Sequence, residues 1–303
     1  MMKKLGKWIG MIFGSIVVLL LAGVGIVYAV SSKHFSDSWD VEVEQLAIHN
    51  DDQVLERGKH IAQTRGCTDC HGEKYGGGIL MDNAMMGTIA GTNLTSGEGG
   101  IGDDYSDTDW IRSIRHGVGP DGKPLIFMPS HEYNILGKRD LTALIAYLKA
   151  LPAVDNRPPG VSDGPMARFL YVTGSLPMLV PAKLIDHDKE RKPAPKVGPT
   201  VAYGKYLAEG CRGCHGDGFS GGAIPGMPPD FPPASNLTPH ESGVSDWSRD
   251  DWEKALTLGE TPAGKTMKRE YMPWHMTAAM TETERTALWK FFQSLPATPE
   301  GNR

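Results

Sequence analysis

The longest apolar stretch stands at the front of the chain. No residue between Lys7 and Lys33 is charged, and Trp8 to Val30 forms a 23-residue apolar run. A spanning helix needs about 20 such residues, whereas the core of a signal peptide is about 7–15. Residues 1–34 are therefore read as a single transmembrane helix, a membrane anchor or uncleaved signal, with a long cleaved signal peptide as the alternative, disfavoured because Ala29–Ser31 is only a weak small-x-small site. Lys3, Lys4 and Lys7 precede the run. The positive-inside rule leaves them in the cytoplasm and sends the remainder across the membrane.

Beyond Lys33 the pattern turns helical. Leu141, Leu144, Ile145 and Leu148 share one apolar face. Trp110, Ile111 and Ile114 do the same in SDTDWIRSIRHG, which stops at Gly117. TETERTALWKFFQSLP opens with Thr281 and Glu284 in capping-box spacing and closes at Pro296. Strand-like alternation is nearly absent, and the Gly-rich segments 75–78, 97–102 and 216–226 read as loops. The expectation is an all-α body with long loops.

That body is duplicated. RGKHIAQTRGCTDCHG (57–72) matches YGKYLAEGCRGCHG (203–216), NLT recurs at 93 and 236, and SDTDW (106–110) matches SRDDW (248–252). DGKPLIFMP (121–129) then answers to AGKTMKREYMP (263–273), and LTALIAYLKALP (141–152) to RTALWKFFQSLP (285–296). Matches in one order mean two copies of one domain, expected at 45–152 and 199–298. Between them, 153–198 is proline-rich and reads as an extended connector whose apolar middle packs across both domains. Pro177 and Pro181 exclude a second span.

Charge removes one class of function. The net charge is −5, and setting aside the three leading lysines leaves 28 basic against 36 acidic side chains. Such a body repels nucleic acid.

All four cysteines fall in the repeated C-x-x-C-H motifs, Cys67-Cys70-His71 and Cys211-Cys214-His215. Adjacent Cys and His do not easily reach one tetrahedral zinc ion, and a thioredoxin-like pair expects a βαβ setting. Covalent haem attachment uses every part: each thiol adds to one vinyl group, and the histidine becomes the axial ligand. Two haem c groups are therefore expected. Among 14 methionines, Met128 and Met272 are each followed by proline and each lie 57 positions after their motif histidine. They are the expected sixth ligands. Met267, Met276 and Met280 lack the repeat behind them, and His131 and His275 are the alternative ligands. His116 reads as a solvated histidine, while Gly58 and Gly204 read as close-approach points for helices bearing Tyr147 and Phe291.

These residues resemble class I c-type cytochromes over about 50–152 and 199–297. The longer pattern NLTSGEGGIG, DW, RHGVGPDGKPL, MP, DLTALIAYLKALP is similar to the haem domains of the cytochrome subunit of bacterial membrane-bound alcohol and aldehyde dehydrogenases. The resemblance implies two tandem class I domains behind the transmembrane helix. It also implies a periplasmic relay on the inner membrane, taking electrons from a dehydrogenase subunit or quinone-linked donor towards the respiratory chain, without catalysis of its own. Leu94 and Leu237 would pack on the haems by this analogy. This chain departs in carrying two haem domains where three are common, and in its front anchor. Two other readings stay open, a dihaem subunit of a terminal oxidase complex and a dihaem peroxidase.

Overall fold

The computed structural model describes residues 2–302. Helix α1 (Met2–Ser36) holds the apolar run and is long and apolar enough to cross a membrane. The chain then runs extended along the first copy, where Val43, Leu46 and Ile48 pack on its core. That copy contains α2 (Asp52–Thr64), α3 (Cys67–His71), α4 (Asp107–Ile111), α5 (Ser130–Tyr133) and α6 (Lys138–Lys149). The second contains α8 (Val201–Ala208), α9 (Arg212–His215), α10 (Arg249–Thr257), α11 (Trp274–Ala278) and α12 (Glu282–Gln293).

Local signals act where the sequence places them. Ser106 and Ser248 close capping boxes with Asp109 and Asp251, and Thr281 does so with Glu284. Leu141, Leu144, Ile145 and Leu148 are all buried. After α4 a π-helical turn, Arg112–His116, ends at Gly117 with φ 65°.

In each copy the first and last helices cross in backbone contact. A Cβ on Gly58 would lie 1.9 Å from the Ala143 carbonyl oxygen and 2.6 Å from Tyr147 Cβ. One on Gly204 would lie 2.0 Å from the Ala287 oxygen and 2.8 Å from Phe291 Cβ. The missing side chains are what let these helices touch.

Three regions differ from the sequence reading. Strands β1 (Gly78–Asn83) and β2 (Gly87–Gly91) form an antiparallel hairpin, and β3 (Ser162–Asp163) extends it. The stretch 153–198 is folded rather than extended. Besides β3 it carries α7 (Pro165–Val172) and two 3-10 turns, which pack on the first copy, its β2 side and the base of α1. Towards the second copy, Leu176 and Ser175 lie against Gly226. His116 is buried, its ring stacked on His187 with Nδ1 to Nδ1 at 3.0 Å. Burial, with the charges of His187 and Arg115, holds it near a pKa of about 4.

Alanine is the better helix former by about 1 kcal/mol, yet here it must overlap a carbonyl. Gly58→Ala and Gly204→Ala should each destabilise their own half by about 1–3 kcal/mol. Urea unfolding of each variant, with the Soret band as probe, reads the sign.

Candidate functional site

The two C-x-x-C-H motifs form short helices, α3 and α9, each ending in a glycine with positive φ. His71 and His215 are buried. Each Nδ1 lies on a carbonyl oxygen, 2.7 Å from Thr92 for His71 and 2.8 Å from Ser235 for His215. A carbonyl only accepts, so Nδ1 carries the proton in both rings, which in His71 leaves the Nε2 lone pair for a metal. Burial lowers the His71 pKa and keeps the ring neutral. Burial also pushes the thiols up, to about 12 for Cys67, about 11 for Cys70 and about 12 for Cys211. These are protonated thiols, unlike the acidic thiols of redox pairs.

In the first copy Cys67, Cys70, His71 and Met128 line one apolar cleft together with Leu94 and Trp110. Its empty space, open mouth included, is about 1120 Å³. Trp110 Nε1 is buried there without a partner among the described residues, whereas its repeat counterpart Trp252 donates to the Arg285 carbonyl at 3.2 Å. A large flat apolar group with acidic substituents suits a cleft that offers a thiol edge, an imidazole, a thioether and an orphan N–H donor. Haem fits that description.

The methionine loops share one turn. Ser130 N donates to the Met128 carbonyl and Trp274 N to the Met272 carbonyl, both at 2.7 Å. A hydroxyl then ties the following helix back, Ser130 Oγ to the Ser113 oxygen at 2.8 Å and Thr277 Oγ1 to the Leu256 oxygen at 2.7 Å. Met272 is half-buried beside α11. In the second copy Cys211 and Leu237 pack against the core, and Cys214 is exposed. His275 Nε2 bonds Asp69 at 2.9 Å, and the Met276 sulfur lies against Gly66.

Two paired features escaped the sequence reading. Tyr75 and Phe219, each four residues after a motif histidine, adopt φ of 58° and 59°. Each accepts the amide of the NLT leucine at 2.8 Å and meets the closing helix edge to face, Tyr75 on Tyr147 and Phe219 on Phe291. Asn93 and Asn236 are buried clamps. Asn93 Nδ2 donates to the Val154 carbonyl at 2.7 Å and Asn236 Nδ2 to the Thr298 carbonyl at 2.7 Å, tying down the chain after each closing helix. A shared offset from the histidine is the signal that marks Tyr75 and Phe219.

The motifs of the two copies also meet. His60 Nε2 donates to Glu284 at 2.7 Å, and the equivalent Tyr206 hydroxyl donates to Asp140 at 2.9 Å. Contacts exchanged in this way make the interface isologous. Arg57 grips Asp140 bidentately at 3.2 and 3.0 Å and stands 3.6 Å from Glu284, which also accepts from Tyr203 at 3.0 Å. Arg65 reaches the Tyr206 and Leu207 carbonyls, and Glu132 lies over Gly213 in the second motif. Burial alone would raise the Glu284 carboxyl. The hydrogen bond and charge of His60, with the Thr281 amide and Tyr203, hold it at about 2.

The family model for cytochrome c matches twice, over residues 55–152 and 201–296. The chain is 30% identical over 279 residues to the gluconate 2-dehydrogenase cytochrome c subunit of Pantoea cypripedii, covering 81% of this chain and 60% of that protein. It is 28% identical over 279 residues to the alcohol dehydrogenase (quinone) cytochrome c subunit of Gluconobacter oxydans (strain 621H), covering 83% and 56%. It is 35% identical over 101 residues, 31% of this chain and 20% of that protein, to the fructose dehydrogenase cytochrome subunit of Gluconobacter japonicus. The chain thus spans 60% or less of the length of these relatives.

A carboxyl held below its ordinary 4.5 contributes stability that is complete above that pH and is lost as pH falls towards about 2. Acidification through this window should open the contact between the copies, seen as a rise in the radius of gyration by small-angle X-ray scattering. Glu284→Ala should weaken the contact at neutral pH by about 1–3 kcal/mol, because His60 loses its buried carboxylate while Arg57 keeps Asp140.

Proposed function

This chain belongs to the cytochrome c family, and from that premise we propose that it is a membrane-anchored periplasmic dihaem cytochrome. It relays electrons between a dehydrogenase or quinone-linked donor and a respiratory acceptor. Two cytochrome c domains imply two covalently bound haem c groups, which supply one-electron iron chemistry when bound. The observation that carries the reading is the repeated set of groups: a C-x-x-C-H turn, an imidazole with Nδ1–H committed to a carbonyl, and a Met-Pro turn.

In this reading Cys67, Cys70, Cys211 and Cys214 hold the porphyrin edges as thioethers. His71 and His215 ligate from one side, Met128 and Met272 from the other, and methionine favours a raised reduction potential. The domains are class I units at 45–152 and 199–298, with 1–34 as the inner-membrane anchor and 153–198 as the connector. The isologous contact supports transfer within the chain, since each motif abuts the methionine-side helix of the other copy.

The relatives are named as cytochrome subunits of gluconate, alcohol and fructose dehydrogenases, which supports a dehydrogenase as the partner. Affinity capture from detergent-solubilised membranes tests this. A dehydrogenase should elute with a reduced c-type spectrum, and a copper–haem oxidase core eluting instead would overturn the assignment.

With both sulfurs bound, the reduced protein should resist carbon monoxide. Met128→Ala and Met272→Ala should each admit it at one haem and lower that haem's potential, and the double variant should admit it at both. Reduced-minus-CO difference spectra and redox titration provide the readouts. Unchanged spectra in the variants would exclude sulfur ligation.

A further inference from the structure

Helix α7 lies beside the last turns of α1, just beyond the end of its apolar run at Val30. The junction is made by specific contacts. Arg168 Nη1 donates to Ser31 Oγ and Ser32 Oγ, both at 2.8 Å, and its guanidinium stands 4.7 Å from the Tyr28 ring and 5.1 Å from the Phe35 ring. Tyr171 hydrogen-bonds His34 at 2.9 Å and packs on Phe35. The inner face of α7 buries Ala167.

The outer face is different. Phe169 is 49% exposed and Met166 39%, and Met85, whose carbonyl accepts the Met166 amide, is 52% exposed. An aromatic ring and two thioethers therefore project together next to a membrane-crossing helix. Two acids beside it are paired, Asp163 with Arg168 and Asp37 with Lys183. An apolar patch flanked by compensated charge and continuous with a membrane helix suits the headgroup–acyl boundary.

Resting on the anchored reading above, we propose that α7 and Met85 form a lipid-facing foot, inserted at the outer surface of the membrane that α1 crosses. The partner is the lipid interface itself. The foot is also coupled to the haem site. Leu179 packs in one cluster with Ala167, Ile126 and Phe127, and its carbonyl accepts the Phe127 amide at 3.0 Å, one residue before Met128. Seating the foot fixes the height and tilt of the first cleft over the bilayer.

Because all four native cysteines lie in the motifs, an introduced cysteine in the haem-loaded full chain is a unique labelling site. Phe169→Cys and Met85→Cys would carry nitroxides in vesicles of phosphatidylethanolamine and phosphatidylglycerol. Val17→Cys, within α1, gives the bilayer reference, and Lys290→Cys, exposed on α12, the aqueous one. The label at 169 or 85 should collide with oxygen severalfold more, relative to an aqueous nickel complex, than the label at 290. A ratio at both sites equal to that at 290, with 17 still inside the bilayer, overturns the foot and leaves the anchor standing. Shielding from both reagents means that protein covers the patch, which also overturns it. If 17 itself reads aqueous, the anchored reading fails and the foot falls with it.

Discussion

Each half of the molecule depends on one contact, the crossing of two helices at a glycine. At Gly58 the backbone of α2 meets that of α6, and at Gly204 the backbone of α8 meets that of α12. A contact this close fixes the crossing tightly, because packed interiors transmit small displacements. The aromatic beside the glycine then gains a defined place. Tyr147 and Phe291 each receive the edge of an aromatic from the loop after the motif. That loop aromatic accepts the amide of the NLT leucine. The site is therefore referenced to the crossing through two ring contacts and one hydrogen bond, repeated in both halves.

The outer sides of the same helices join the halves. Asp140 and Glu284 occupy equivalent positions at the starts of α6 and α12, and both are almost fully buried. A buried charge is costly unless paired. Only the first copy brings cations, Arg57 and His60, where the second has Tyr203 and Tyr206. Two second-type faces would oppose two carboxylates with no cation between them. The unlike pair places one arginine within 3.0 Å of Asp140 and 3.6 Å of Glu284. Divergence after duplication thus favours contact between unlike copies and disfavours self-association of the second.

The sequence made legible what duplication preserved. Equal spacing from His71 to Met128 and from His215 to Met272 identified the loops, and for the first copy the structure lines one cleft with both ends. The glycine crossings were readable because one local rule acted twice, and the Thr281–Glu284 capping box from its spacing alone. The hairpin was not, because β1 is exposed at most positions of both faces and so shows no two-residue period. The connector's partners are distant in sequence, Leu179 with Phe127 and His187 with His116, and its prolines break any periodic signal. The burial of His116 comes from that connector, so nothing in RHGVGPDGK could announce it.

The connector also makes the halves unlike where the proposed axial sulfurs sit. In the first copy its backbone bonds Phe127, and Phe127 itself takes a left-handed φ of 65°, a conformation that costs a non-glycine residue about 1–3 kcal/mol and persists only when its surroundings impose it. Ala182 closes over Gly117, and His187 covers His116. At the matching place in the second copy Leu258 is exposed and Trp274 packs on Gly259. Burial and hydrogen bonding around a metal site set its dielectric and thereby its potential. A folded connector over one sulfur-bearing loop is therefore a lever by which two copies of one domain, given the same ligand pattern, become two different electron carriers.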